Sequence, residues 1–128
     1  MRLEHVAVWT ADLERLRAFY ETWFEAHAGA RYESANHPGF VSYFLTFPDG
    51  PPRLELMTIP GLGAAAPGPA IGFAHIAISV GSRLGVERLV ERMRQDGVPV
   101  LSEPHVTGDG YFEAVVQDPD GNRVEITP

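Results

Sequence analysis

One short pattern occurs twice in this chain, 70 residues apart. The segment Leu3-Glu4-His5-Val6-Ala7-Val8-Trp9 returns as Phe73-Ala74-His75-Ile76-Ala77-Ile78-Ser79-Val80, and 75 − 5 = 70. A second pair keeps the same offset. Arg53-Leu54-Glu55-Leu56-Met57 returns as Arg123-Val124-Glu125-Ile126-Thr127, and 125 − 55 = 70. Each half therefore carries one histidine and one glutamate 50 residues apart, on period-2 segments whose other face is apolar. A duplication of this kind narrows the possible folds sharply. A small open sheet leaves one face and its edges uncovered, so two copies must pair, either within the chain or across a homodimer.

The segments between these landmarks suggest how each copy is built. In Leu3–Trp9, His5, Ala7 and Trp9 share one face and Val6 and Val8 the other, which reads as a strand. Thr10 or Asp12 can cap a helix with an apolar stripe of Leu13, Leu16, Tyr20, Trp23 and Phe24, and Gly29 is a plausible stop. Arg31–Ser34 and Phe40–Phe47 read as strands, and Pro48-Asp49-Gly50-Pro51-Pro52 as a turn into the Glu55 strand. The second half repeats this plan. Val86, Leu89, Val90 and Met93 mark a helix ending near Gly97, Val98–Leu101 and Tyr111–Gln117 read as strands, and Asp118-Pro119-Asp120-Gly121 turns into the Glu125 strand.

Residues 60–72 hold four glycines, four alanines and three prolines among 13 residues, a linker composition. Within them, Gly61-Leu62-Gly63-Ala64-Ala65-Ala66 imitates a dinucleotide-binding loop, but Pro67-Gly68-Pro69 forbids the helix that motif must open. The expectation is one α+β domain over 1–128. It comprises two tandem βαβββ modules, 1–59 and 73–128, joined by the 60–72 linker and forming a curved, cup-like mixed sheet with helices outside.

Strand alternation also predicts where the four polar residues point. Leu54 and Leu56 flank Glu55, Val124 and Ile126 flank Glu125, Ala74 and Ile76 flank His75, and Val6 begins the apolar face beside His5. With the apolar neighbours under the helices, His5, Glu55, His75 and Glu125 face the open side. Imidazole and carboxylate together suit a divalent zinc, nickel, cobalt, iron or manganese ion rather than calcium. Four such ligands leave one or two coordination positions for water or substrate. A lone histidine on a strand is more often structural, but here both residue types recur at one offset on matching strands. His27, His37 and His105 have no such echo and read as surface or loop residues. Trp9, Phe44, Met57 and Tyr111 are candidates to line a substrate pocket.

Composition removes several other chemistries. All ten basic residues are arginine, so no lysine can form a Schiff base, and no cysteine can serve as nucleophile, zinc ligand or disulfide partner. A net charge of −7 argues against nucleic acid or an anionic membrane as partner. Arg2, Glu4 and His5 are unlike a signal-peptide core, and no apolar run reaches membrane-spanning length, so a cytoplasmic protein is expected. No Gly-x-Ser-x-Gly elbow or phosphate loop supports a hydrolase or kinase.

On these residues, together with Gly72-Phe73-Ala74-His75-Ile76-Ala77 and Asp118-Pro119-Asp120-Gly121-Asn122-Arg123-Val124-Glu125, nearly the whole chain resembles the vicinal oxygen chelate superfamily. Within it, the likeness is greatest to glyoxalase I (lactoylglutathione lyase)-like proteins. The resemblance implies that His5, Glu55, His75 and Glu125 bind a catalytic metal, zinc or nickel first, in a homodimer with each site assembled across the interface. It implies a lyase or isomerase acting on a small vicinal-oxygen substrate, a hemithioacetal or α-hydroxycarbonyl, through a metal-stabilised enediolate. Glu125 matches the family's proton-moving base, and Glu55 is the second catalytic carboxylate.

One departure bears on the substrate. Glutathione-using members carry an arginine four residues after the first ligand histidine and an asparagine four after the first ligand glutamate. Here those positions hold Trp9 and Ile59, which cannot anchor a carboxylate. Other readings on the same scaffold are an extradiol-type dioxygenase, a thiol transferase and an epimerase. The dioxygenase would use iron with two histidines and one carboxylate, and a fourth ligand leaves dioxygen less room. A bleomycin-resistance-type protein that sequesters an aromatic antibiotic would need an apolar cleft and no metal, which leaves the four candidate ligands unexplained.

Overall fold

A computed structural model describes residues 1–64 and 71–128. The chain divides into two compact units, Met1–Ala65 and Ala66–Pro128, each with its own sheet and helix. Part of the 60–72 segment, including Pro67-Gly68-Pro69, lies outside the described residues.

The first unit runs β1 (His5–Trp9), α1 (Leu13–Phe24), β2 (His27–Ala28), β3 (Tyr32–Glu33), β4 (Val41–Phe47) and β5 (Gly50–Thr58). Its five-stranded sheet has the order β1-β5-β4-β2, with β3 also on β4. β1 pairs parallel to β5, and the other pairings are antiparallel. Asp12, not Thr10, caps α1 by accepting from the Arg15 N–H at 3.0 Å. The helix stops at Phe24, short of Gly29, because Glu25 adopts a left-handed φ of 54° and its N–H returns to the Tyr20 carbonyl. Phe19, rather than the Trp23 of the sequence stripe, joins Leu13, Leu16, Tyr20 and Phe24 in the core, edge-on to Tyr20 at 5.3 Å. Beneath the helix lie Tyr43, Leu45, Leu54 and Leu56, the alternate residues of β4 and β5. Tyr43 Oη donates to Glu14 at 2.9 Å and ties helix to sheet.

The turn into β5 is tighter than its five-residue signature. Phe47 pairs with Gly50, so only Pro48 and Asp49 connect β4 to β5. Pro51 and Pro52 already lie in β5, and pairing with β1 begins only at Arg53. Their missing N–H groups therefore leave no bond to β1 unmade.

The second unit runs β6 (Ile76–Ser79), α2 (Arg83–Gln95), β7 (Val100–Val106), β8 (Phe112–Gln117) and β9 (Arg123–Thr127), with sheet order β6-β9-β8-β7. β6 pairs parallel to β9, as β1 does to β5. Ser82 caps α2, which buries Val86, Val90 and Met93 over Ala114, Val116, Val124 and Ile126. Three expectations need correction. β6 starts after His75, β8 starts after Tyr111, and β7 runs past Leu101 to Val106, so that His105, at the surface as expected, lies on a strand. Register shifts on either side of Ser102 let β7 continue past Pro104, a break in the alternation that period-2 reading takes for a strand end.

The Asp118-Pro119-Asp120-Gly121-Asn122 turn is closed by backbone bonds from the Asp118 N–H to the Asn122 carbonyl and from the Gly121 N–H to the Asp118 carbonyl, and by the Asp118 side chain. Asp118 is 4% exposed, and its carboxylate accepts from the Asp120 and Asn122 backbone N–H groups at 3.0 and 2.9 Å and from Asn122 Nδ2 at 2.8 Å. Gly121 has φ +86°, which favours glycine. Replacing Asp118 with alanine strands these donors and should cost about 2–3 kcal/mol. Urea unfolding of D118A checks this, and a loss well below that would show the turn to be held by its backbone alone. No helix among the described residues is long and apolar enough to cross a membrane.

Candidate metal centre

Each unit brings its own histidine and glutamate together. In the first, Arg53 pairs with His5 and Glu55 with Ala7 along the parallel β1–β5 ladder, so the two side chains project from one face. His5 Nε2 stands 3.8 Å from Glu55 Oε2. In the second, Glu125 pairs with Ala77, two residues beyond His75. His75 Nε2 lies 3.4 Å from Glu125 Oε2. Both glutamates are half-buried between fully buried neighbours, Leu54 and Leu56 in one case and Val124 and Ile126 in the other.

The spacing tests whether a cation fits. Two ligand atoms each about 2.1 Å from one ion stand roughly 3.0–3.4 Å apart for right-angled to tetrahedral geometry. The His75–Glu125 pair is at that distance, and the His5–Glu55 pair is a few tenths of an ångström wider. Each pair can thus supply one nitrogen and one oxygen to a divalent ion. Among the described residues no group of three or more histidine, aspartate or glutamate side chains is placed to hold a metal.

Glu125 has an unusual electrostatic setting. Burial, then the nearby charge of Glu113, hold its carboxyl above the usual glutamate range, with a Glu113 hydrogen bond and Asp109 adding to the effect and His75 opposing it. Sequence reading passes over Glu113, although alternation offers a signal. Val115 pairs with Glu125, and Glu113 lies two residues before Val115, so it shares that face. His105 pairs with Glu113 across β7 and β8, and its Nδ1 lies 2.8 Å from the Glu103 carbonyl oxygen. Glu4 and Arg53 are also missed. Glu4 contacts both His5 Nδ1 and the Arg53 guanidinium, and these contacts hold its carboxyl below the usual range.

Three of the four pocket candidates lie on the His5–Glu55 face of the first unit. Phe44 pairs with Glu55 and meets the His5 ring edge-on at 5.2 Å. Trp9 pairs with Met57, is 46% exposed, and packs edge-on against Phe40 at 6.2 Å. Tyr111 belongs to the second unit, in the turn where its carbonyl accepts from Thr107, and is 67% exposed.

The family model for the glyoxalase/bleomycin resistance protein/dioxygenase superfamily matches residues 2–126. The chain belongs to that superfamily. Among its relatives, an ethylmalonyl-CoA/methylmalonyl-CoA epimerase of Cereibacter sphaeroides is 32% identical over 116 residues, 85% of this chain and 82% of that protein. A lactoylglutathione lyase of Salmonella typhimurium is 32% identical over 132 residues, 98% of this chain and 91% of that one. The trypanothione-dependent glyoxalase I of Leishmania major superposes with a TM-score of 0.78 at 27% identity, over 99% of this chain and 86% of that one. The superfamily thus offers both an epimerase and glyoxalase I lyases as similar proteins, at comparable identity.

Proposed function

We propose that this chain is a metal-dependent enzyme of the glyoxalase I type, a lyase or isomerase that moves a proton between adjacent carbons of a small vicinal-oxygen substrate. The observation that carries this reading is the duplicated pair, His75 with Glu125 at ligand spacing and His5 with Glu55 a few tenths of an ångström wider, each beside an equivalent parallel strand pairing. Two such pairs make a four-ligand set, and we assign them to one site assembled in a homodimer. A divalent ion held there, zinc or nickel first by the family resemblance, would stabilise negative charge developing on substrate oxygen. Glu125 acts as the base. A carboxylate at the edge of the site lies within reach of a proton on the carbon next to the held oxygen. Glu55 is the counterpart carboxylate in the other pair.

Trp9 and Ile59 favour a thiol adduct other than that of glutathione. Trp9 and Ile59 are exposed and apolar where glutathione-using relatives place polar side chains, so they offer surface to an apolar group and nothing to a carboxylate. Methylglyoxal hemithioacetals formed with glutathione and with a thiol lacking carboxylates should be compared. The second is expected to give the higher kcat/KM, and a clear preference for glutathione would overturn this assignment. A second reading, epimerisation of an acyl thioester, is favoured by the 32% identity to the epimerase and uses the same proton removal next to a carbonyl. Deuterium exchange into the α position of methylmalonyl-CoA, with no hemithioacetal turnover, would select it.

A further inference from the structure

The two histidines of the duplicated site are not equivalent. Ala74 precedes His75, whereas Glu4 precedes His5. One oxygen of Glu4 is hydrogen-bonded to His5 Nδ1, and the other is paired with the Arg53 guanidinium. The backbone sets up this arrangement, because His5 pairs with Arg53 and the Arg53 N–H donates to the Glu4 carbonyl at 3.1 Å. Arg53 Cζ lies 4.2 Å from the centre of the Phe44 ring, and Phe44 in turn meets the His5 ring edge-on. Glu4, Arg53 and Phe44 thus surround the imidazole, with Nδ1 turned to Glu4 and Nε2 to the Glu55 carboxylate.

A neutral imidazole carries its hydrogen on one nitrogen and its lone pair on the other, and the partner of one nitrogen selects the role of the second. A carboxylate on Nδ1 holds the hydrogen there, so the lone pair is left on Nε2. We propose that Glu4 is a positioning residue: it fixes His5 in the Nδ1–H form and in a single ring orientation, so that Nε2 is presented beside Glu55 as a ready-made ligand. Arg53 holds Glu4 in place. The proposal rests on the reading that His5 and Glu55 bind a metal. It adds that the first module presents an oriented histidine, whereas the Ala74-His75 sequence of the second has no carboxylate at the matching position.

The test separates the two ideas. Nitrogen-15 NMR of the metal-free protein, at a pH where the imidazoles are neutral, should show the Nδ1–H form for His5 and a shift towards Nε2–H in Glu4→Leu. Titration with Ni²⁺ should show Glu4→Leu binding about 10–100-fold more weakly than the unaltered protein, with part of the loss restored in Glu4→Gln, which keeps an acceptor oxygen. Arg53→Met should produce a smaller loss in the same direction and serves if Glu4→Leu does not fold. Unchanged nickel affinity and tautomer in both variants would overturn the role of Glu4 and leave the metal site standing. Absence of nickel binding by the unaltered protein, or affinity unaffected by His5→Ala, would overturn the metal reading and this proposal with it.

Discussion

Glutamine in place of Glu125 should lower turnover by about 10²–10⁴-fold, the contribution of a positioned general base. The replacement keeps the side chain's size and one acceptor oxygen, so folding is not the reason for the loss. His75→Ala should instead remove the bound metal, measured as metal content of the purified protein. Stability should move the other way. A carboxyl with a raised proton affinity in the folded state stabilises the fold when protonated, and that contribution is lost as pH rises from the ordinary glutamate value, about 4.3, through its raised one. The causes here are burial and the neighbouring Glu113. Metal-free Glu125→Gln should therefore melt at a higher temperature than the unaltered protein at neutral pH, with the difference disappearing in acid. A lower melting temperature at neutral pH would refute this account of Glu125.

The second large effect belongs to the core. Leu56 is fully buried on β5, opposite Val8 of β1 and Tyr43 of β4. Leu56→Ala should cost about 2–5 kcal/mol, because the strands on both sides and the helix above cannot all collapse into the space. Leu84→Ala, at a position 52% exposed on α2, should stay within about 0.5 kcal/mol and serves as the comparison. Denaturant unfolding reads both. If the two substitutions cost the same, the packing ascribed to Leu56 is wrong. Because Leu56 adjoins Glu55 in β5, the same variant should also weaken metal binding.

Much of the fold was legible because it rests on alternation. Leu54 and Leu56 are buried on either side of Glu55, and Val124 and Ile126 on either side of Glu125, as period 2 requires. What alternation missed lies where the backbone departs from regularity. Glu25 ends α1 in a left-handed conformation that its residue type does not advertise, and shifts of register carry β7 through Pro104 to His105. Helix periodicity placed Trp23 in the apolar stripe and passed over Phe19, although both lie within its reach. Packing against Tyr20 and Phe24 decides in favour of Phe19.

The amino-acid order alone determined the duplication, the strand faces and the choice of two histidines and two glutamates as the residues to watch. These follow from local rules, because neighbours along a strand must point in opposite directions. Only the tertiary structure decided that each histidine comes within 3.4–3.8 Å of a glutamate 50 residues away, since that depends on β1 pairing with β5 and β6 with β9. It also decided that Glu113 bears on Glu125, and that Glu4 and Arg53 close around His5. Most of these contacts join residues far apart in sequence, and their strength depends on distance and burial, which a one-dimensional pattern does not contain.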